Sequence, residues 1–548
     1  MSASPAQTAS PTYADVNRDV IRTLEPPGNA YYGWMSLIGF VLAACLFGAW
    51  TAQIFYGIGM SGKRVPQMWL LYITTFVFWI GIGHAGTLIS AILYLFRARW
   101  RTSIYRAAEI MTVFAVMTAG LFPLIHLGRM WFGYWLLPYP NQRYLWPNFR
   151  SPLLWDVFAI STYLTISAVF LFVGMIPDIA AIRDASTGWR KKIYGTLSLG
   201  WEGSDSQWRH YRRAYGLFAA LNTPLVVSVH SVVAFDFAMA LVPGWHTTLF
   251  APFFVDGAIF SGFAMVLILM IPMRKYFNLY AYIGDRHLDA MGKLILTTSL
   301  VLTYFYVCEA FTAWYSGDHI EKASLFWKAT ASYAWAFWLQ YFCNSLAPLV
   351  LFWKRARTST VVLYIVSILV LIGMWFERFN IIAPSLGHGF YPYAWGIAVP
   401  SVTDTAIIIG SFAWFFFLFL AFIKLMPSVS VVEVKETIPH PVQHGGVTDG
   451  RQRGRRLRSR GQHGPGHPGS AGPGVRRFHR LLAVAGGGDR SRSGTPAAHE
   501  PGSPVHADRR PHRDGVGLCA DHLERAQVEP RHRWEAHRFD PSVYRHRL

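Results

Sequence analysis

The stretch MWLLYITTFVFWIGIGHAGTLISAILYLFRARWR, residues 68–101, decides the fold class. Its first 29 residues carry one ionisable side chain, His84, and about 20 apolar residues suffice to cross the ~30 Å hydrocarbon core of a bilayer. The run then breaks into Arg97, Arg99 and Arg101, the basic flank of a span held on the cytoplasmic side. This is a membrane-spanning helix.

Working outward, similar runs occupy residues 33–58, 104–127, 152–177, 217–242, 250–273, 293–315, 328–353, 359–378 and 402–427, which with 68–96 makes ten. The expected fold is therefore an all-α integral membrane protein with about ten spans. Composition agrees: 53% of the 548 residues are hydrophobic, 16% aromatic and only 15% charged, which is membrane rather than soluble usage. Residues 1–31 are polar and lack the short apolar core and small-residue cleavage site of a signal peptide, so they read as a cytoplasmic N-terminal segment ahead of a membrane domain over 32–427.

Alternate loops carry unequal numbers of Lys and Arg. One set, running from Arg97 to Arg357, holds eighteen, and the other, from Lys63 to Arg378, holds eight. Positive residues stay inside, so both termini are expected in the cytoplasm of a bacterial cell and the chain in its inner membrane. The aromatic segments 128–151 and 379–401 then face outward.

Half of the net charge of +20 belongs to residues 441–548, which contain 20 Arg, no Lys and 11 His with abundant Gly and Pro. That composition forms no core, so 428–548 is expected to be a basic, disordered cytoplasmic tail. A basic arm for anionic lipid or nucleic acid is one reading. A frameshifted reading of GC-rich DNA from about residue 443 accounts better for Arg without Lys, and no nucleic-acid partner is expected.

The four cysteines, Cys45, Cys308, Cys343 and Cys519, show no metal or haem spacing, so no metal site is expected. Ionisable groups inside spans are costly and are functional candidates by default. His126 ends the third span, Asp156 lies a turn into the fourth and Asp236 two turns below the end of the fifth, all at the outer level. Arg129, His246 and Asp256 share that level. A histidine beside carboxylates can accept protons and bond a hydroxyl or carbonyl, as a quinone headgroup requires. The bland alternative is an aromatic belt with interfacial ion pairs.

Deeper lie His84, with Thr87 and Ser90 at i+3 steps, and His230. His84, Thr87 and Ser90 are a candidate proton path together with Glu309, or else a satisfied core histidine with helix hydroxyls; His84 and His230 also raise a haem, which one pair at that depth makes a weak case. Glu309 and Tyr306, the Glu377–Arg378 pair expected to end the ninth span, and Asp404 complete the outer-half charges. Asp318, His319 and Glu321 cluster like a metal site but read better as a solvated loop.

Six motifs together carry a family resemblance: GIGHAGTLISAILYLFRARWR at 81–101, PLIHLGRMWFGYWLLPYPN at 123–141, SPLLWD at 151–156, VVSVHSVVAFDF at 226–237, PGWHTTLFAPFFVDGAIFSG at 243–262 and WFERFNI at 375–381. The chain resembles the NrfD/polysulfide-reductase-type membrane subunits across 32–427, and most of all the ActC type of alternative complex III. The resemblance implies two four-helix bundles plus two extra helices, with no haem or iron–sulfur cluster in this chain. It implies menaquinol or ubiquinol oxidised near the periplasmic face. Electrons would pass to an extrinsic iron–sulfur/molybdopterin-like subunit and multihaem cytochrome c subunits, beside an ActF-like sister membrane subunit. By family position His126, Asp156 and Asp236 are catalytic and Arg129 and His230 help bind quinol; His246, at the same outer level, is a further quinol-binding candidate. Asp256 departs from the pattern, which has a small apolar residue there. The alternatives are an ActF-like structural subunit without quinol and a proton-coupled transporter.

Overall fold

The computed structural model describes residues 13–61, 70–141, 143–245, 247–397 and 399–437. His246, Lys63, Arg64 and the expected tail beyond 437 lie outside the described residues. Among the described residues the secondary structure is helical, with no strand, as lipid demands of a chain whose backbone polar groups must be satisfied within each span.

A short amphipathic helix, α1 (Tyr13–Arg22), precedes the spans. They are α2 (Asn29–Tyr56), α3 (Leu70–Leu95), α4 (Tyr105–His126), α5 (Pro152–Ala185), then, after a short α6 (Gly188–Leu197), α7 (Asp205–Ala238), α8 (Phe250–Tyr276) and α9 (Asp285–Tyr315). After α10 (His319–Thr330) and α11 (Ala334–Tyr341) come a five-residue helix α12 (Lys354–Thr358), α13 (Thr360–Gly387), α14 (Val402–Leu425) and a terminal α15 (Val431–Thr437). Nine of these are long and apolar enough to cross a membrane among the described residues.

The run at 328–353 departs from the expected single helix. It starts inside α10, breaks at Ala331–Tyr333, and resumes as α11, a π turn over Phe342–Leu346 and a 3-10 stretch over Ala347–Phe352. Pro348 lacks the N–H an α-helix needs at that point, and Ser299 Oγ takes the carbonyl of Asn344 at 2.6 Å instead. The 19 helical residues from Ala334 to Phe352 still reach roughly 30 Å.

Two groups of helices share a seam. α3, α4, α5 and α7 pack together, as do α8, α9, α11 and α13, and α3 and α8 meet along the seam between them. α2 packs on α14, outside both groups. Backbones approach closely where glycine allows it. A Cβ on Gly262 of α8 would stand 1.9 Å from Cβ of Ala85, and one on Gly86 of α3 would stand 2.1 Å from the carbonyl oxygen of Ala108 on α4.

At the end of the first group opposite His126, Arg106 is fully buried. Its guanidinium donates to Gly174 O at 2.7 Å and to Asp178 at 3.0 Å, and pairs with Glu109 at 3.3 Å. Tyr215 donates to the other Glu109 oxygen at 3.1 Å. The last described residues close this end: Asp178 accepts the N–H of Val431, and Arg101 pairs with Glu433 at 2.9 Å. Val429, Val431 and Val434 are buried. Residues 428–437, grouped by composition with the tail, are thus a packed part of the helical unit.

Arg106, counted among loop bases, is therefore a buried ion partner, and so are Lys328 and Arg378. Without them the asymmetry becomes seventeen against six.

Candidate functional site

The first helix group carries a stack of polar residues near mid-depth. The imidazole of His84 on α3 stacks on the ring of Tyr163 on α5, with centroids 4.6 Å apart and 11° between planes. His230 on α7 meets His84 at 4.6 Å from the other helix. Nδ1 of His84 donates to Ile80 O at 2.6 Å, which leaves Nε2 as the acceptor nitrogen. That Nε2, and both ring nitrogens of His230, are buried without a hydrogen-bond partner. The Tyr163 hydroxyl donates to Gly83 O at 2.8 Å and lies 2.8 Å from Thr87 Oγ1. Ser90 donates to the carbonyl of Thr87 at 3.2 Å. So His84, Thr87 and His230 come together, with Ser90 one turn beyond.

Asp156 and Asp236 form the next layer. α5 and α7 are antiparallel neighbours, so seven residues back along α5 from Tyr163 and six forward along α7 from His230 reach the same level, roughly 10 Å away. There the two carboxyls lie within hydrogen-bonding reach of each other. Both Asp156 oxygens and Asp236 Oδ1 are otherwise buried without a partner. A carboxyl pair can hold a proton between its members and bond a hydroxyl from outside.

His126 is the final residue of α4 and half-buried. Arg129, three residues on, is exposed, with its guanidinium 5.9 Å from the Trp131 ring. The loop that follows is aromatic and open: Trp131, Tyr134, Trp135, Tyr144 and Trp146 are all exposed.

The second helix group holds a separate cluster. α13 runs nine residues past its expected end, so Glu377 and Arg378 are interior rather than terminal, paired at 2.9 Å and buried. Arg378 lies 4.2 Å from the Phe254 ring, and Gly257 leaves it room. Tyr306 donates to Glu377, and Asn344 donates to the Tyr306 hydroxyl at 2.9 Å. Asp256 lies within electrostatic reach of Glu377. Glu309 belongs here rather than with His84: it lines a cavity of about 20 Å³ with Lys328, Gln340 and Asn380, room for a water molecule.

The loop acids point in different directions. Asp318 caps α10 by accepting Ile320 N–H at 2.8 Å, and Glu321 accepts Gly244 N–H at 3.1 Å. No metal-holding group of three His, Cys, Asp or Glu occurs among the described residues. Beyond α13, His388 stacks on Trp395 at 3.7 Å and on Trp327 at 4.8 Å. Burial pulls its pKa below the usual histidine value.

Sequence reasoning missed Tyr163, because one tyrosine within an apolar span reads as an ordinary core aromatic. It also missed Glu109 and Asp178, whose charge Arg106 neutralises.

Comparison with known proteins adds the lineage. The family described as "Polysulphide reductase, NrfD" matches residues 59–387. A protein of Halobacterium salinarum described as a "Putative dimethyl sulfoxide reductase membrane subunit" is 26% identical over 410 residues, covering 69% of this chain and 87% of its own length. A selenate reductase subunit of Mesobacillus selenatarsenatis is 24% identical over 302 residues, covering 53% of this chain and 67% of its own length.

Proposed function

The chain belongs to the NrfD polysulphide reductase family, and from that premise we propose that it is the quinol-binding membrane subunit of a quinol:electron-acceptor oxidoreductase. The observation that carries this reading is the Asp156–Asp236 pair, two carboxyls from antiparallel helices that meet with both Asp156 oxygens and Asp236 Oδ1 buried without another partner. Quinol oxidation removes two electrons and two protons, so the site must offer proton acceptors beside a surface from which electrons can leave. In this reading one quinol hydroxyl is bonded by His126 and the other by the carboxyl pair, with Arg129 at the rim and His230 one layer deeper; His246 stays a binding candidate on its sequence alone.

The basic asymmetry supports placing the His126 end outside and both termini in the cytoplasm. Protons would then leave outward, and electrons would pass to an extrinsic subunit seated on the exposed aromatic loops. Thr87, Tyr163 and His84, joined by hydrogen bond and stacking, are the groups best placed for an added proton path; Glu309 would serve a separate one. Two partner sets are compatible with this chemistry. The ActC-like motifs favour an alternative complex III, with iron–sulfur and multihaem cytochrome subunits and an ActF-like sister. The two relatives favour a second reading, an extrinsic reductase that consumes the electrons.

Asp156→Asn and His126→Ala, each made in the assembled complex, are the test. General acid–base groups typically contribute about 10²–10⁴-fold, so quinol oxidation should fall by at least about a hundredfold in each. Near-normal turnover with both changes would remove the site.

A further inference from the structure

α2 and α14 lie outside the segment 59–387 that matches the family, yet α2 reaches the turn that carries His126. Gln53, fully buried in the last turn of α2, donates from Nε2 to the carbonyl oxygen of Ile125 at 2.6 Å. Tyr72 on α3 donates its hydroxyl to Gln53 Oε1 at 2.6 Å. The Ile125 carbonyl can only accept, which fixes the amide with Nε2 toward it and Oε1 toward the Tyr72 hydroxyl. A buried glutamine in a span is unfavourable unless both ends are satisfied, and here both are.

The bond falls on a particular place. Ile125 is in the final turn of α4, where its carbonyl already accepts Gly128 N–H at 3.1 Å and takes Gln53 as a second donor, and Pro123 lies in the helix two residues earlier. The other side of the same turn is held too: Gly128 has φ +76, and a Cβ there would stand 3.1 Å from Cβ of Ile58, just beyond α2. The end of α2 thus grips the segment 125–128 at two points, with His126 between them.

We infer that Gln53, bonded by Tyr72, is a positioning residue that holds the turn carrying His126 and so sets the direction of the His126 side chain. The inference rests on the proposal that His126 bonds the quinol. A general base must sit within about 2.6–3.2 Å of the proton it takes, and small displacements of a catalytic group are costly in rate. Gln53 and Ile58 hold that turn from outside and so narrow the positions from which the His126 side chain can meet this requirement.

The test uses the intact complex, with Gln53→Met and Tyr72→Phe. Both keep side-chain volume and remove the polar link. Expected are assembly as in wild type, quinol KM within about twofold and kcat lowered about tenfold for Gln53→Met, with a smaller fall for Tyr72→Phe. Against His126→Ala, Gln53→Met should lower the residual turnover no further. If Gln53→Met fails to assemble, Tyr72→Phe decides alone. Turnover within about twofold of wild type in the assembling variants, while His126→Ala is inactive, overturns the positioning role and leaves the quinol reading intact. Normal turnover in His126→Ala overturns the quinol reading, and the positioning role with it.

Discussion

Tyr163 holds His84 by two means at once: its ring stacks on the imidazole at 4.6 Å, and its hydroxyl donates to the carbonyl of Gly83, the residue just before it. Removing only the hydroxyl separates the two. Tyr163→Phe should keep the stack, leave Thr87 without its hydroxyl partner and cost about 1–3 kcal/mol of stability, read as a lower unfolding temperature in detergent. An unchanged temperature would mean that the hydroxyl bonds contribute nothing net.

Arg106 faces Glu109 and Asp178 with no exposure to solvent. Breaking a buried ion cluster by removing the cation that pairs with both acids leaves buried carboxylates undercompensated, which typically costs about 3–5 kcal/mol. Arg106→Met should therefore lower the yield of folded protein sharply. Arg106→Lys should fall short of wild type as well, because an ammonium cannot reproduce the forked contacts to Gly174, Asp178 and Tyr105. Wild-type melting of the lysine variant would contradict this.

Shortening the chain tests the packed terminus at 428–437. A protein ending at 437 keeps Glu433 on Arg101 and the Val431 N–H on Asp178, and it should fold and melt like the full chain. One ending at 427 loses those partners together with the buried Val429, Val431 and Val434, each worth about 1.5–3 kcal/mol of burial. Its yield on size-exclusion chromatography should drop. Equal yields for the two lengths would count against the docking of this segment.

Stability should also depend on pH through His388. Its pKa in the folded protein lies below the ordinary 6.5, with burial between the tryptophans as the cause. The unfolded chain therefore binds more protons in the window below pH 6.5, so stability rises with pH there. The contribution is complete above 6.5 and is lost as pH falls toward the depressed value. In His388→Gln the difference in melting temperature between acid and neutral pH should shrink; an identical slope would show that His388 is not its source.

The spans were legible because hydropathy reports what lipid contacts: nine of the runs became helices, though four of these extend eight to twelve residues past an expected end. The depth of Asp156 and Asp236 was legible too, since helical rise converts residue number into height. The break in the 328–353 run was not, because apolar content says nothing about where a carbonyl loses its intrahelical partner. Arg106 and Arg378 were read at span boundaries because a charge looks like the end of an apolar run. Inside the bundle an acidic neighbour neutralises each, and that neighbour is chosen by packing between helices. Gln53 and Tyr72 escaped for a related reason: their meaning lies in the carbonyl of Ile125, which no side-chain pattern reveals.

Among the described residues three π turns interrupt helices, at Leu42–Gly48, Leu88–Ile92 and Phe342–Leu346. A π turn accommodates one residue more than an α turn, so each behaves as a single-residue insertion absorbed within a helix. Relatives that lack the turn should therefore differ in length by one at that point inside an apparently ungapped span. An alignment that forbids gaps in transmembrane segments would shift every later side chain by about 100° around the helix axis, and so assign Asn344 to the wrong face.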